Sequence, residues 1–288
     1  MAKLNAQGLS RKNKLLMETL IPRPGYTFVS CDLSAGEPTV VSHFSRDPNY
    51  IAACFGMVGK APYYDSAGVL QIDDIYIMSM SVSPMGRAKT LDLFNSTFNG
   101  MSFSEQWLQD PDFIKGQIKS ERAFHKILAL GLSYAMGPKH MVEASFAAGY
   151  SLSLKDARAF FKAYWELFKE VKRFGTSLEE RFKLKGYLIN PFGYRLIPDP
   201  EYKSLNYFIQ SSVTGIMHVL CAKFFKVAPF TEFVTVIHDE IIIEVPTPRV
   251  EEAKALMKLS TDSLNEDLNW SVKIRVGWAE GRNLYEAK

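Results

Sequence analysis

The stretch Phe233-Val234-Thr235-Val236-Ile237-His238-Asp239-Glu240-Ile241-Ile242-Ile243-Glu244-Val245 decides how the rest of the chain is read. Two runs of β-branched and aromatic residues flank a three-residue polar tip, the pattern of paired strands joined by a tight turn. A carboxylate at the edge of a core loses solvation, so Asp239 and Glu240 must be exposed, hydrogen-bonded or facing a cation. Turns favour Asp in any case, and the tip by itself reads more simply as a solvated loop.

Working outward, Tyr187 to Asn190 and Tyr194 to Ile197 flank Pro191-Phe192-Gly193 as a second hairpin, and Glu201 to Phe225 reads as a helix. Downstream, Thr247-Pro248 supplies an N-cap and an N1 proline for a helix, and Val272 to Val276 gives a last strand. Far upstream lies Tyr26-Thr27-Phe28-Val29-Ser30-Cys31, a strand preceded by Pro22-Arg23-Pro24-Gly25 and delivering Asp32 at its C-terminal end. Between these ends the pattern is helical. Ser102-Phe103-Ser104-Glu105 offers a capping box, Glu121 to Met136 forms a helix stopping at Gly137-Pro138, and Leu154 to Leu178 forms another. Strands at both ends and helices between them predict an α+β sheet domain interrupted by a helical insertion.

Composition narrows the field without deciding it. The 288 residues are 47% hydrophobic and 23% charged, which suits a globular core and excludes a disordered or fibrous chain. The formal charge of +3, from 34 basic and 31 acidic residues, announces no nucleic-acid partner. Cys31, Cys54 and Cys221 lie far apart with no CxxC pair, so neither a disulfide framework nor a thiolate zinc site is expected, and a cytoplasmic setting fits. The nearly apolar stretch Ile127 to Met136 is about half the roughly 20 residues that cross a bilayer, and no signal peptide is read at the N-terminus, so no membrane partner is expected.

Three groups of residues can carry chemistry. Asp32 and Asp239, two strand-borne acids on what could be one sheet, suit a magnesium site, because that ion takes a few carboxylates and fills its octahedron with waters and phosphate oxygens. On the helix from Glu121, Arg122 and Lys126 share a face that Leu130 and Tyr134 continue. Two cations and a ring match a polyphosphate ending in a base, although basic residues at this spacing are also an ordinary solvated face. Asn206, Gln210 and Thr214 form a neutral polar stripe on an apolar helix. It could read minor-groove acceptors or make buried hydrogen bonds.

Taken in order, these segments resemble family A DNA polymerases. Val29-Ser30-Cys31-Asp32-Leu33-Ser34-Ala35-Gly36-Glu37 is similar to the family's motif A, Arg122-(3)-Lys126-(7)-Tyr134-(2)-Gly137 to its motif B, and Val236-Ile237-His238-Asp239-Glu240 to its motif C. Gly186-Tyr187, Arg195-Leu196, Asn206 and Gln210 also have counterparts. Leu33, Ala35, Gly36 and Leu130 depart from the usual residues, and Tyr202 with Lys203 stands in place of an arginine. Asp74-Ile75-Tyr76 resembles the family's DIH segment opening the fingers, within stretches longer than usual.

The resemblance implies a right-hand palm sheet with inserted fingers: palm over 1–48, fingers over 49–185, palm again over 186–288. It implies template-directed DNA synthesis with Asp32 and Asp239 holding two magnesium ions, and Arg122 and Lys126 gripping the dNTP triphosphate, Lys126 also donating the leaving-group proton. Tyr134 and Leu130 would lie by the nascent pair, with Glu37 as steric gate against ribose. Asn206, Gln210 and His238 would lie on primer-template DNA, and Glu240 would be an auxiliary acid. Family members carry a helical thumb, and often an exonuclease, before motif A. Here only Leu4 to Pro22 resembles the palm lead-in, so the resemblance implies a second polypeptide supplying thumb and 3′–5′ exonuclease, as in a phage-type split polymerase, in a bacterial or host cytoplasm. Two other readings remain: a catalytically inactive, polymerase-like replisome scaffold, and a single-subunit RNA polymerase relative. The latter shares the Arg-Lys-Tyr helix but carries HDS in motif C and Gly where Glu37 stands.

Overall fold

A computed structural model of the chain describes residues 14–237 and 239–287. His238 and the lead-in residues Leu4 to Leu9 lie outside the described residues. Among the elements, in chain order, are β1 (Tyr26–Ser34), α1 (Gly36–Ser45), α2 (Ile75–Val82), α3 (Lys119–Ser133), α4 (Leu154–Leu167), α5 (Lys169–Lys185), α6 (Ser204–Val227), β2 (Glu232–Ile237), β3 (Glu240–Pro246), α7 (Val250–Leu268) and β4 (Arg275–Gly281). Two-residue strands form three further small hairpins.

The chain divides into two compact units, one built from residues up to Val40 and from Gln210 onward, the other from Val41–Ile209. The architecture is α+β, with a helical unit inserted into a sheet unit, as the sequence predicts. The division falls later than the expected return to the palm at residue 186. Segment 186–209 packs on α5 instead: Lys183 pairs with Glu201 at 3.3 Å, and Gly175 leaves room for the Leu205 side chain, which an added Cβ would meet at 3.4 Å.

The sheet unit is a four-stranded antiparallel sheet in the order β4-β1-β3-β2. Its central strands are buried on both faces: Phe28 to Cys31 in β1 and Ile241 to Ile243 with Val245 in β3 are almost inaccessible. A strand covered on both sides needs an unbroken apolar run, not alternation, and Ile241-Ile242-Ile243 is such a run. α7 covers part of this sheet. At the sheet's lower margin Met17, Phe28, Ile237, Ile242 and Leu284 pack together. The last strand is Arg275–Gly281, not Val272 to Val276, because Asn265 takes both backbone groups of Ile274 (2.7 and 2.9 Å) before the chain can join the ladder. Thr247 likewise does not cap the α7 helix. Its hydroxyl donates to the Gly25 carbonyl, a short 3-10 turn follows, and α7 starts at Val250.

In the helical unit the expected helix from Leu154 to Leu178 is two. Phe168, fully buried against Tyr50 and Tyr164, leaves helical geometry (φ −109°, ψ 54°). The exposed backbone groups of the break are taken by side chains, Asn49 Nδ2 donating to the Leu167 carbonyl and Asp47 accepting from the Glu170 N–H. The capping box at Ser102 and Glu105 forms as predicted. α3 ends at Ser133, three residues short of expectation. The N–H of Ala135 reaches the Leu132 carbonyl and that of Met136 the Gly131 carbonyl, a Schellman closure with Ala135 left-handed (φ 60°). Gly137-Pro138 therefore starts the next helix instead of ending this one. Among the described residues one helix, Glu201–Val227, has the length and composition to cross a bilayer, which the reading based on Ile127 to Met136 overlooked. Half of its apolar window is buried within the protein.

β1 passes into α1 through Ala35, which also sits in the left-handed region (φ 58°) while its carbonyl accepts from both the N–H and the hydroxyl of Thr39. A Cβ there costs about 1–2 kcal/mol, partly offset by the chain entropy that glycine would add to the unfolded state. Ala35→Gly is expected to raise stability by about 0.5–1 kcal/mol and Ala35→Val to lower it, read by denaturant melts; equal melts for all three would contradict the strain.

Candidate active site

The sheet register brings the acids of the two strand ends together. Asp32 stands directly opposite Glu240 in the β1–β3 ladder, and the Leu33 N–H donates to the Asp239 carbonyl at 3.1 Å. Cys31 and Leu33 point into the core, so Asp32, between them, emerges on the other face and is exposed. Asp239 is half-buried in the turn and Glu240 buried. On its other side Asp32 faces Gly277 of β4. The sheet end thus carries a group of acidic residues, with Asp32 and Glu240 in register.

Among the described residues no cluster of three or more His, Cys, Asp and Glu is arranged to hold a metal by itself. The donors at this sheet end are all carboxylate oxygens, from Asp32 and Asp239 with Glu240 beside them. Oxygen-only sites with one or two carboxylates, completed by substrate phosphate and water, are what magnesium takes, so these residues fit that ion. Thiolates are not on offer. Burial pushes the Cys31 thiol far up, and the Cys221 thiol up to about 11, so both stay protonated.

The helical unit carries the cationic stripe. Lys126, Leu130 and Tyr134 are exposed and Arg122 half-buried, in line along α3 and its C-cap. Sequence reasoning missed what holds Arg122. Its Nε donates to Asp74 Oδ2 at 2.8 Å, its Nη2 lies 2.7 Å from the same oxygen as an ion pair, and the Asp74 side chain is only 4% exposed. Asp74 Oδ1 accepts the N–H groups of Tyr76 and Ile77, capping α2. The Tyr76 ring lies 5.1 Å from the Arg122 guanidinium and 5.7 Å from the Lys126 ammonium. Removing one partner of a buried pair costs about 3–5 kcal/mol, which exceeds the about 1.5–3 kcal/mol of a hydrogen bond to a charged group. Arg122 is therefore anchored.

On α6, Gln210 and Thr214 are exposed and Asn206 half-buried, and the exposed His218 extends the stripe by one turn. This removes the buried-hydrogen-bond alternative for Gln210 and Thr214. Glu37 lies in the first turn of α1, half-buried, where a helix N-terminus favours an acid.

On the inner side of α3, His125 is buried with Nδ1 2.8 Å from the Glu121 carbonyl, and burial lowers its pKa. A lowered folded-state pKa means that the unfolded chain binds the proton first. The stability this neutral ring confers is present above about 6.5 and is lost as pH falls below that value toward the folded pKa. Melts of the protein and of His125→Gln between about pH 7.5 and 5 should show a steeper acid loss for the protein; parallel curves would contradict this assignment.

Comparison with known proteins gives the same frame. A family model described as DNA polymerase family A matches residues 103–286. Thermostable DNA polymerase I of Thermus filiformis is 28% identical over 177 residues, 57% of this chain and 20% of that protein. The DNA polymerase of Mycobacterium phage D29 is 28% identical over 150 residues, 50% of this chain and 23% of that protein. The chain thus spans about a fifth of these relatives. Among solved structures, the POL domain of Pol1 from M. smegmatis, in complex with DNA primer-template and dNTP, superposes with a TM-score of 0.69 at 19% identity, over 98% of this chain and 45% of that one. The similarity in fold thus takes in β1 and Asp32, which lie ahead of the family-model match. With that match covering more than half of its residues, the chain belongs to DNA polymerase family A.

Proposed function

We propose that this chain catalyses template-directed transfer of deoxynucleotides to a primer 3′-hydroxyl. The observation that carries the reading is the ladder register setting Asp32 opposite Glu240 and beside Asp239. The anchored Arg122 and the exposed Lys126 of the helical unit support it. Primer-template and dNTP are present in the M. smegmatis relative's complex, and they are the substrates proposed here.

Asp32 and Asp239 would hold the two magnesium ions, which when bound supply charge neutralisation at the reacting hydroxyl and at the departing pyrophosphate. The chain's own residues do the rest. Arg122 presents N–H groups to phosphate oxygens from a fixed position, and Lys126 adds a point charge and a proton for the leaving oxygen. Tyr134 and Leu130 offer surface to the base and sugar. Glu37 stands as the gate that prefers deoxyribose. Asn206 and Gln210, with His238 carried over from the resemblance, donate to minor-groove acceptors common to all base pairs. A second polypeptide supplying thumb and 3′–5′ exonuclease, and a cytoplasmic setting, belong to the same proposal on the strength of the sequence resemblance. Duplex grip rests on phosphate contacts, so extension should become more processive when such a partner is added.

Single-turnover primer extension tests the reading. Asp239→Ala is expected to lower deoxynucleotide incorporation by at least about 10²-fold while binding to primer-template stays nearly unchanged. Equal incorporation by Asp239→Ala and the unaltered protein would place the reaction elsewhere, and no incorporation by the unaltered protein would favour the scaffold.

A further inference from the structure

Asp74 holds a position that the roles above do not use. Its carboxylate is almost fully buried, and its two oxygens have separate tasks. Oδ1 closes the N-terminus of α2 through the N–H groups of Tyr76 and Ile77, both at 3.0 Å. Oδ2 accepts from Nε of Arg122, with Nη2 2.7 Å away in the same ion pair. A guanidinium has five N–H donors. Two are spent on Asp74, and three remain for another acceptor. Tyr76, ordered by the same cap, puts its ring beside both Arg122 and Lys126. One buried carboxylate thereby fixes a helix start, a ring and a cation.

We infer that Asp74 is a positioning residue for the triphosphate, acting through Arg122; this rests on the reading that Arg122 and Lys126 receive a deoxynucleoside triphosphate. A free arginine side chain surrenders rotamer freedom when it binds, whereas one already held by a hydrogen bond and an ion pair and packed on a ring has little left to lose. The phosphate does not draw Arg122 off Asp74, because that would strand a buried carboxylate. The nucleotide therefore binds to the outward N–H groups while the pair stays closed.

An opposite effect is conceivable on charge alone, since Asp74 cancels part of the Arg122 charge and repels phosphate. The two effects differ in sign, which makes the test decisive. Asp74→Asn keeps an oxygen for the helix cap and removes the acceptor for Arg122. The full chain is titrated with a non-hydrolysable deoxynucleoside triphosphate and magnesium, binding being read without turnover, and thermal unfolding reports folding. Asp74→Asn should bind about tenfold more weakly. Arg122→Lys, which keeps the charge and loses the fork, should do the same, and it serves as the second probe if Asp74→Asn fails to fold. In an Arg122→Ala background, Asp74→Asn should change affinity by less than about twofold, an outcome that a general loss of structure would not give. Equal or tighter binding by folded Asp74→Asn overturns the inference. Unchanged binding by both Lys126→Ala and Arg122→Ala would instead remove the underlying reading of the stripe.

Discussion

The pairing of β1 with β3 is the constraint on which the rest depends. Antiparallel strands exchange hydrogen bonds residue by residue, and a slip of one position would send every side chain to the opposite face. The end of β1 forbids such a slip: Asp32 is exposed between buried Cys31 and Leu33, and a shift of one position would turn its carboxylate into the core. With the register fixed in this way, the residues at the strand ends have no freedom in where they fall. Asp32 meets Glu240, and the Asp239 carbonyl is bonded to the next residue of β1. A group of acidic residues is thus held in place by a core that is favourable for other reasons, which is a common way for functional sites to be maintained.

The helical unit meets a related problem with charge of the other sign. On the proposed reading, a guanidinium that receives an anionic ligand must be kept from wandering without being neutralised completely. Asp74 engages two of the Arg122 donors and leaves three, while Tyr76 backs both cations. Lys126 remains exposed, a mobile point charge next to a fixed fork. The two cations of one stripe therefore differ in kind.

The sequence made the architecture readable where the pattern was local and strong. The apolar arms around Asp239, the strand before Asp32, the capping box at Ser102 and the stripe on α3 all follow from spacing and residue type. What escaped was set by distant partners. The break at Phe168 depends on Asp47 and Asn49, more than a hundred positions away, and the displaced start of β4 depends on Asn265 capturing Ile274. The helical periodicity around Arg122 could not reveal Asp74, since 48 residues separate the pair. A signal was present, however: Asp before Ile-Tyr-Ile is a good N-cap, and a buried N-cap acid calls for a cation. Segment 186–209 groups with the helical unit because Leu205 packs at Gly175 of α5, a contact between residues thirty positions apart that local pattern does not announce.

Locating the divalent-ion site directly gives the most stringent test of the central claim. Iron(II) bound in place of magnesium, with ascorbate and peroxide, cleaves the backbone beside its ligands. The account predicts two cuts, one next to Asp32 and one next to Asp239, both suppressed by excess magnesium and both lost in Asp239→Asn. Cleavage at only one of the two positions, or a cut beside Asp32 that persists in Asp239→Asn, would contradict a shared site.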